Sequence, residues 1–560
     1  RRRTPGFDSN IMSLWKKDRN FIKDPVQPIL KNASPNTLKI QKKNSKIFKD
    51  ELKEESIKNP SCVRPIRNPG SSLIRRARLI RRRTTSKYCE KMKNLNEDEA
   101  VVVTQILYLR LKTSQEATPE EIRTLNGLKS AYVPYIEYAV PRLDSDDHKF
   151  PPPLFFPDFT QPPRQKLRDD QICQYTVVLT DERGNRTFAY CFKYQIYSFG
   201  TEYYVPKPDL NPLNYGVVVL TAAFPVENLL RSMAEDLIRT LRRDPSLLHT
   251  ICSDIMQLRL TSNYESIKNS QFVVPHHRGY TFAQKPTTEI VEKLGVENIV
   301  FIFLSLLAEK RVIVTGSDVV TITEAVQSLV KLLSPLEWPH TLIPIVPDTH
   351  VELAYNPTPY ICGMMRYNLN TLKDIICSIP GTEGSEDITI IDLERGVVLP
   401  SLPLEAIQNM DTRLKALVNA GRAMGFPKKY TVDLVTSLKG LFPRRCSEEK
   451  FGFMIEKRIM IWYAELFGHY KTFSCGANIL TAKNKKRFVK LHPAPDAREF
   501  LQWFVESGIF QAFLYTPRDS KYVNGALPRF YEILAKHTPP LRGRGTRNKA
   551  RAFVWRLFHR

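Results

Sequence analysis

Residues 295–315 read GVENIVFIFLSLLAEKRVIVT, and a change of pattern inside them decides the fold. Gly295 to Glu309 has the apolar density of a buried helix. After the charged step Glu309-Lys310-Arg311 the chain turns β-branched, and Arg311 to Thr315 reads as a strand. The uncharged run Ile299 to Ala308 is about ten residues long, against the roughly 20 that a bilayer span needs, so it is a core segment. The same alternation continues on both sides. Val319 to Leu333 is helical, with Ala325, Val326, Leu329, Val330 and Leu333 on one face. Thr341 to Val346 is a strand between Pro339 and Pro347. Upstream, Val217 to Thr221 is a strand, and Val226 to Arg242 carries Leu229, Leu230, Met233, Leu237 and Leu241 at helical spacing. Strands alternating with helices predict an α/β layered domain with a mostly parallel sheet, over residues 206–380.

The preceding block, 101–205, is strand-rich. Val101 to Leu111 and Pro134 to Val140 read as strands, and Pro119 to Lys129 as its one helix. Phe150 to Phe159 (FPPPLFFPDF) holds too much proline for a central strand and reads as an extended crossing segment. Tyr175 to Thr180 and Thr187 to Phe192 flank a turn containing Gly184 and Asn185, which predicts a hairpin. From 381 to 540 helices dominate: Leu404 to Met424, Tyr430 to Leu441, Phe451 to Phe473 and Ala497 to Leu514, preceded by short strands at Ile388 to Ile391 and Val397 to Leu399. No internal repeat is present.

The net charge of +25 suggests a nucleic-acid binder until it is mapped. Residues 1–100 hold 26 Lys/Arg against 11 Asp/Glu, and residues 541–560 hold 7 against none. The 440 residues between hold 50 against 47, so the ordered part is almost neutral and nucleic-acid binding is disfavoured. Residues 1–100 are rich in Lys, Asn, Ser and Pro without apolar periodicity, and are expected to be disordered. Nine scattered cysteines without a Cys-x-x-Cys pair argue against zinc or a disulfide framework and favour a reducing cytosol. No signal-peptide pattern opens the sequence. Phosphate-binding, nucleophile-elbow, zinc-protease and kinase motifs are absent. The adjacent pair His276-His277 reads as a solvated loop, with no metal partner at ligand spacing. No cofactor and no metal are expected, and the surface itself is the expected active element.

Three ordered motifs in the central block are similar to the DENN module. Leu306-Leu307-Ala308-Glu309-Lys310-Arg311-Val312 resembles its helix-to-strand hallmark L-L-x-E-R-R-V. Trp338 with His340, Pro344 and Pro347 resembles W-x-H-x-x-I-P-x-x-P, and Pro357-Thr358-Pro359-Tyr360-Ile361-Cys362-Gly363 resembles P-T-P-[FY]-x-x-G. Upstream, Phe156-Pro157-Asp158 matches F-P-D. Leu179-Thr180 with Gly184, Arg186, Tyr190 and Cys191 follows L-T-x-x-x-G-x-R-x-x-G-Y-C, departing at Ala189, where the family has glycine. Ala464 to Lys471, the phenylalanines 500, 504, 510 and 513, and Asp519 resemble its helical third element. The likeness spans about Val101 to Asp519 and is nearest to the second DENN subfamily.

The resemblance implies a longin-like α/β domain, a central α/β DENN domain and a helical downstream domain. It also implies guanine-nucleotide exchange on a Rab small GTPase in vesicle trafficking, without catalytic side-chain chemistry. Candidate GTPase contacts are Arg186, Glu309, Lys310 and Arg311. Phe156, Pro157, Asp158, Gly184, Trp338, His340, Pro344, Pro347, Pro357, Pro359 and Gly363 are expected to serve the structure. The alternatives are a GTPase-binding adaptor or scaffold, and a GTPase activator offering an arginine at the longin edge. The resemblance implies a cytoplasmic protein peripherally recruited to endosomal, Golgi or vesicle membranes, and the basic ends suggest contact with anionic lipid. Arg75 to Arg83 lies beside the hydroxyls of Thr84, Thr85 and Ser86, and Lys549 to Arg560 interleaves cations with Phe553, Trp555 and Phe558.

Overall fold

The structure, a computed structural model, describes residues 99–141, 150–161, 167, 171–180, 186–196, 211–222, 227–261, 288–368, 388–399, 410–473, 480–515 and 526–541. The basic segment through residue 98, Gly184, the His276-His277 pair, Asp519 and the tail from residue 542 lie outside the described residues.

The first unit is a five-stranded antiparallel sheet. Its strands are β2 (Gln105–Thr113), β3 (Tyr132–Val140), β4 (Cys173–Thr180), β5 (Arg186–Gln195) and β6 (Tyr215–Ala222), in the order β3-β2-β6-β5-β4. β4 and β5 form the expected hairpin, with Thr180 opposite Arg186. Helix α1 (Pro119–Arg123) connects β2 to β3. A capping box between Thr118 and Glu121 and a proline in its first turn define its start. Helix α2 (Glu227–Arg243) lies on β5 and β6, and α3 (Leu248–Met256) packs on α2. Beyond it β7 (Arg259–Thr261) pairs with β1 (Glu99–Val101).

The sequence reading grouped Val217 to Thr221 and the following helix with the second block. In the structure β6 is instead the middle strand of the first sheet, hydrogen-bonded to β2 and β5. Every residue of β6 is buried, and a strand covered on both faces has the same continuous apolar signature in either kind of sheet.

The second unit begins with α4 (Thr288–Leu294) and α5 (Val296–Leu307), followed by β8 (Arg311–Gly316), α6 (Val319–Leu332), β9 (Thr341–Val346) and β10 (Tyr360–Met365). With β11 (Ile388–Asp392) and β12 (Val397–Leu399) they make a sheet ordered β12-β11-β8-β10-β9, parallel except for β12. The last two strands therefore join this sheet and not the helical block that follows them. Asp318 caps α6 through the amide of Thr321 at 2.8 Å. Helix α5 is buried on nearly all sides because it lies between β8 and the helices of the third unit.

Gly363 explains one of the motifs. A Cβ there would stand 2.1 Å from the Pro344 carbonyl oxygen and 2.4 Å from Ile322 Cγ2, so only glycine lets β9 and α6 approach β10 this closely. The β9–β10 register shifts between Cys362 and Met364, beside Pro344, which has no amide to give the ladder.

The third unit is helical: α7 (Met410–Ala423), α8 (Lys428–Lys439), α9 (Glu448–Phe467), α10 (Ala482–Lys490), α11 (Pro495–Phe504), α12 (Gly508–Tyr515) and α13 (Ala526–His537). The single helix expected from Ala497 to Leu514 is two, because the Ser507 hydroxyl accepts from the Phe510 amide at 3.3 Å and starts α12 afresh. An aromatic core fills the unit. Phe467 lies between Tyr463, Phe504, Phe510, Phe513 and Phe530, with ring centroids 5.2–6.2 Å away. Phe303 of α5 enters this core against Trp462 at 5.5 Å. The Tyr463 hydroxyl donates to the Leu333 carbonyl at 3.2 Å, tying the third unit to the second.

Candidate functional site

The candidate site grows from the seam between the two sheets, where β4 and α6 pack and β4 meets β9. After α1 the chain turns through Asn126 (φ +52°) and Gly127 (φ +81°), a conformation that asparagine and glycine tolerate. The turn aims the Asn126 amide across the seam. Its Nδ2 donates to the Thr349 carbonyl at 3.1 Å and to Glu352 Oε1 at 2.9 Å. Thr349 and Glu352 belong to the 3₁₀ segment Asp348–Tyr355, which follows β9.

The FPDF segment makes the next contact. Asp158 holds Lys193 Nζ at 2.8 and 3.0 Å, and Lys193 lies over the buried Phe156 ring at 4.7 Å. Pro157 is buried beside them. Two residues on, the Thr160 hydroxyl donates across the seam to Asp348. Asp348 also accepts from the Tyr367 hydroxyl at 2.6 Å and from Asn368 Nδ2 at 2.8 Å. Burial pushes the Asp348 carboxyl above its ordinary value even though all three donors pull the other way. Asp348 thus gathers one donor from the first unit and two from its own.

Apolar side chains are exposed around this joint. Among the described residues six large hydrophobic side chains are exposed: Val101, Ile122, Leu247, Leu353, Tyr355 and Phe453. Three of them, Ile122 on α1 and Leu353 and Tyr355 on the 3₁₀ segment, lie on the two elements that Asn126 joins. Exposed apolar side chains on hydrogen-bonded elements are of the kind that protein interfaces use as anchors.

A second chain of contacts runs through all three units. Arg186, at the start of β5, donates to the His340 carbonyl. The His340 ring meets Trp338 edge-on at 4.9 Å, and Trp338, itself buried, donates its indole N–H to the Thr341 carbonyl at 3.0 Å. His340 Nε2 lies 3.0 Å from Glu309 Oε1, and that oxygen accepts the Ile509 amide, in the first turn of α12, at 2.8 Å. Glu309 closes α5 in the left-handed region, φ +55°. Its amide bonds to the Leu306 carbonyl, and the Lys310 amide bonds to Ser305, the paired bonds of a Schellman cap.

The four residues expected to meet a partner are therefore placed as follows. Arg186 and Glu309 have their charged ends in contacts between units. Arg311 is buried at the head of β8, and Lys310 is half-buried between them. Of the motif prolines, Pro344 and Pro347 are buried and Pro359 is half-buried. Pro357 is exposed in a turn where Asn356 Oδ1 accepts the Thr358 amide at 3.0 Å. Sequence reasoning passed over Asn126, Thr160, Asp348 and the exposed Ile122. The Asn126-Gly127 pair and an apolar residue on the short, acidic α1 were the signals available for the first and the last of these.

Residues 232–395 match the family described as the DENN (AEX-3) domain. The chain carries a DENN domain. The match begins inside α2 and ends just before β12, so it covers the helices and the parallel strands of the second unit. The likeness to curated proteins reaches further. The chain is 22% identical to DENN domain-containing protein 2C of Homo sapiens, over 72% of this chain and 42% of that protein. It is 22% identical to DENN domain-containing protein 2A of Homo sapiens, over 69% of this chain and 38% of that protein. To DENN domain-containing protein 2D of Homo sapiens it is 21% identical, over 66% and 73%. The chain thus spans about two fifths of the length of the first two relatives. Glu309, Trp338, His340 and Gly363 all fall inside the DENN domain, whereas Asn126, Thr160 and Arg186 approach it from the first unit.

No group of three or more His, Cys, Asp or Glu residues could hold a metal ion among the described residues. No described helix is long and apolar enough to cross a membrane.

Proposed function

We propose that the chain is a guanine-nucleotide exchange factor that loads GTP onto a Rab small GTPase, with the first two units forming the docking surface. The observation that carries this reading is the exposed trio Ile122, Leu353 and Tyr355 beside the Asn126–Glu352 bond. Two exposed apolar side chains lie on the 3₁₀ segment and a third on α1. The turn after α1 is tied to that segment by the hydrogen bonds of Asn126, and the FPDF segment is tied to it by Thr160. A surface fixed in advance loses less entropy on binding.

Exchange of this kind requires no acid, base or nucleophile. It requires that the nucleotide-free GTPase bind more tightly than the GDP-loaded one, since a ligand shifts an equilibrium only by its differential affinity. Displacing the switch segment from the Mg²⁺ ion weakens the hold on the GDP phosphates, and GDP leaves. An interface on the order of 1,600 Å² with a few buried anchors is of the size this work needs. Recruitment to endosomal, Golgi or vesicle membranes would bring the factor to its lipid-anchored client.

Release of fluorescent GDP from a panel of Rab GTPases, with the full chain added, tests the proposal. Acceleration of at least one Rab is expected. Stable capture of a Rab without any change in rate would point to an adaptor, and silence across the panel would reject both.

A further inference from the structure

The charge of residues 101–541 is divided along the sequence. Residues 101–409, which hold both sheets, contain 28 Lys/Arg against 36 Asp/Glu. Residues 410–541, the helical unit, contain 22 against 11. The stretch of sequence that holds the sheets is thus acidic and the helical stretch basic, although together they are nearly neutral. A field of this form orients a molecule near a charged surface.

On the helical unit the charge surrounds an exposed ring. Phe453 on α9 is 44% exposed, the third most exposed of the large hydrophobic side chains among the described residues. The outer face of α9 repeats at helical spacing: Lys450, Phe453, Lys457 and Arg458 are all exposed. Helix α13 packs alongside α9 and adds Arg529 and Lys536, so that with the exposed Glu449 and Glu532 the two helices still present more cations than anions here. The Arg529 guanidinium lies 5.1 Å from the centroid of the Phe453 ring and 3.5 Å from the buried Glu456, which also holds Lys331 at 3.1 Å. Lys450, Lys457, Arg458 and Lys536 form no ion pair among the described residues. The field of Lys457, Lys536 and Arg458 reaches His537 at the end of α13. Partial burial first, and then these three cations, hold its imidazole below the ordinary value.

We infer that the paired helices α9 and α13 form a docking face for an anionic lipid bilayer, with Phe453 entering the headgroup layer and Lys457, Arg458, Arg529 and Lys536 meeting the lipid charges. Cations near an anionic leaflet each add to binding, and an apolar ring among them adds burial that a purely electrostatic contact lacks. A single-stranded nucleic acid is the other polyanion to weigh. Base stacking would need a face of the ring, and Arg529 lies over one of the two. A bilayer needs only the edge. The inference concerns a surface separate from the seam and does not depend on the exchange activity.

Co-sedimentation of the full chain with vesicles tests it, comparing phosphatidylcholine alone with phosphatidylcholine containing phosphatidylserine. Binding to the anionic vesicles is expected, weakening as salt rises. The Lys457→Glu/Arg458→Glu/Lys536→Glu variant should bind at least tenfold more weakly while melting at the wild-type temperature. Because the basic ends remain in that variant, undiminished binding would assign the lipid contact to them and overturn the inference. A Phe453→Trp variant supplies a readout independent of affinity. Its added fluorescence should shift to the blue and be quenched by brominated lipid, and an unaltered signal on bound vesicles overturns the inference. So does a preference for single-stranded RNA over anionic vesicles. So too does salt-sensitive self-association of the wild type that the charge reversal abolishes while lipid binding stays unchanged.

Discussion

Glu309 Oε1 stands 3.0 Å from His340 Nε2 and accepts the Ile509 amide at 2.8 Å, so one carboxylate joins two strand-ends of the DENN domain to a helix of the next unit. Its placement runs against local preference. A non-glycine residue in the left-handed region loses about 1 kcal/mol, and a negative charge at a helix C-terminus is unfavourable. At the same time the carboxylate caps the start of α12, where negative charge is favoured. The side chain therefore outweighs the backbone strain, and this accounts for a glutamate where glycine would fit better.

The balance can be measured with two substitutions. Glu309→Ala keeps the strain and loses both contacts, whereas Glu309→Gly loses the contacts and relieves the strain. The glycine variant should be the more stable of the two by roughly 1 kcal/mol, both lying below wild type. A cycle with His340→Ala should give a coupling of at least about 0.5 kcal/mol by chemical denaturation. Additive effects would mean that the two side chains do not act together.

Gly363→Ala tests the close approach of β9, β10 and α6. The new methyl would lie 2.1 Å from a backbone oxygen that cannot rotate away, so overpacking should lower stability by about 3 kcal/mol. The thermal midpoint of the full chain reads this directly. A midpoint within a degree or two of wild type would show that the strands separate without penalty.

The helical unit should weaken on mild acidification. His469 is 2% exposed and stacks on Phe488 at 4.4 Å, and burial lowers its imidazole from 6.5 to about 3. Its Nε2 lies 3.0 Å from the Phe488 carbonyl, so the neutral ring donates there. His492, also buried, is lowered as well, first by burial. With the folded value depressed, the stabilising contribution is complete above pH 6.5 and is lost as pH falls towards 3. Between pH 7.5 and 5.5 the loss from His469 is roughly 1.4 kcal/mol. This window lies above the ordinary carboxylate range. Thermal midpoints at pH 7.5 and 5.5 should therefore separate for wild type and separate less for His469→Gln, which keeps a donor but cannot take the proton, the remainder coming from His492. Equal separation in both would assign the acid sensitivity elsewhere.

Strand and helix positions were legible because periodicity is local. Arg311–Gly316 and Thr341–Val346 fall where β-branched runs end at glycine or proline. Sheet membership was not legible, since β6 and β11 have the same apolar texture as strands of the other blocks and only long-range pairing assigns them. Within the candidate site, the motif residues Trp338, His340 and Gly363 stood out as a pattern, but the role of His340 as a joint between units rests on Arg186, 154 residues away, and that of Gly363 on the close approach of Pro344 and Ile322. Asn126 and Ile122 carry no charge that draws the eye, and their importance comes from facing Glu352 and solvent respectively.

The seam anchors give the sharpest mutational test of exchange. Ile122→Asp with Leu353→Asp places charge on two exposed side chains and leaves the core untouched, so the thermal midpoint should stay at the wild-type value. GDP release from the responsive Rab should fall at least tenfold, the usual consequence of truncating or charging a hot spot. A full rate in the double variant would move the docking surface elsewhere on the chain.

The central claim concerns preference, and titration of one Rab in two states measures it. The dissociation constant of the full chain for the nucleotide-free Rab should be at least tenfold smaller than for the GDP-loaded form. Equal constants would contradict the account, because a surface that binds both forms alike cannot drive GDP out.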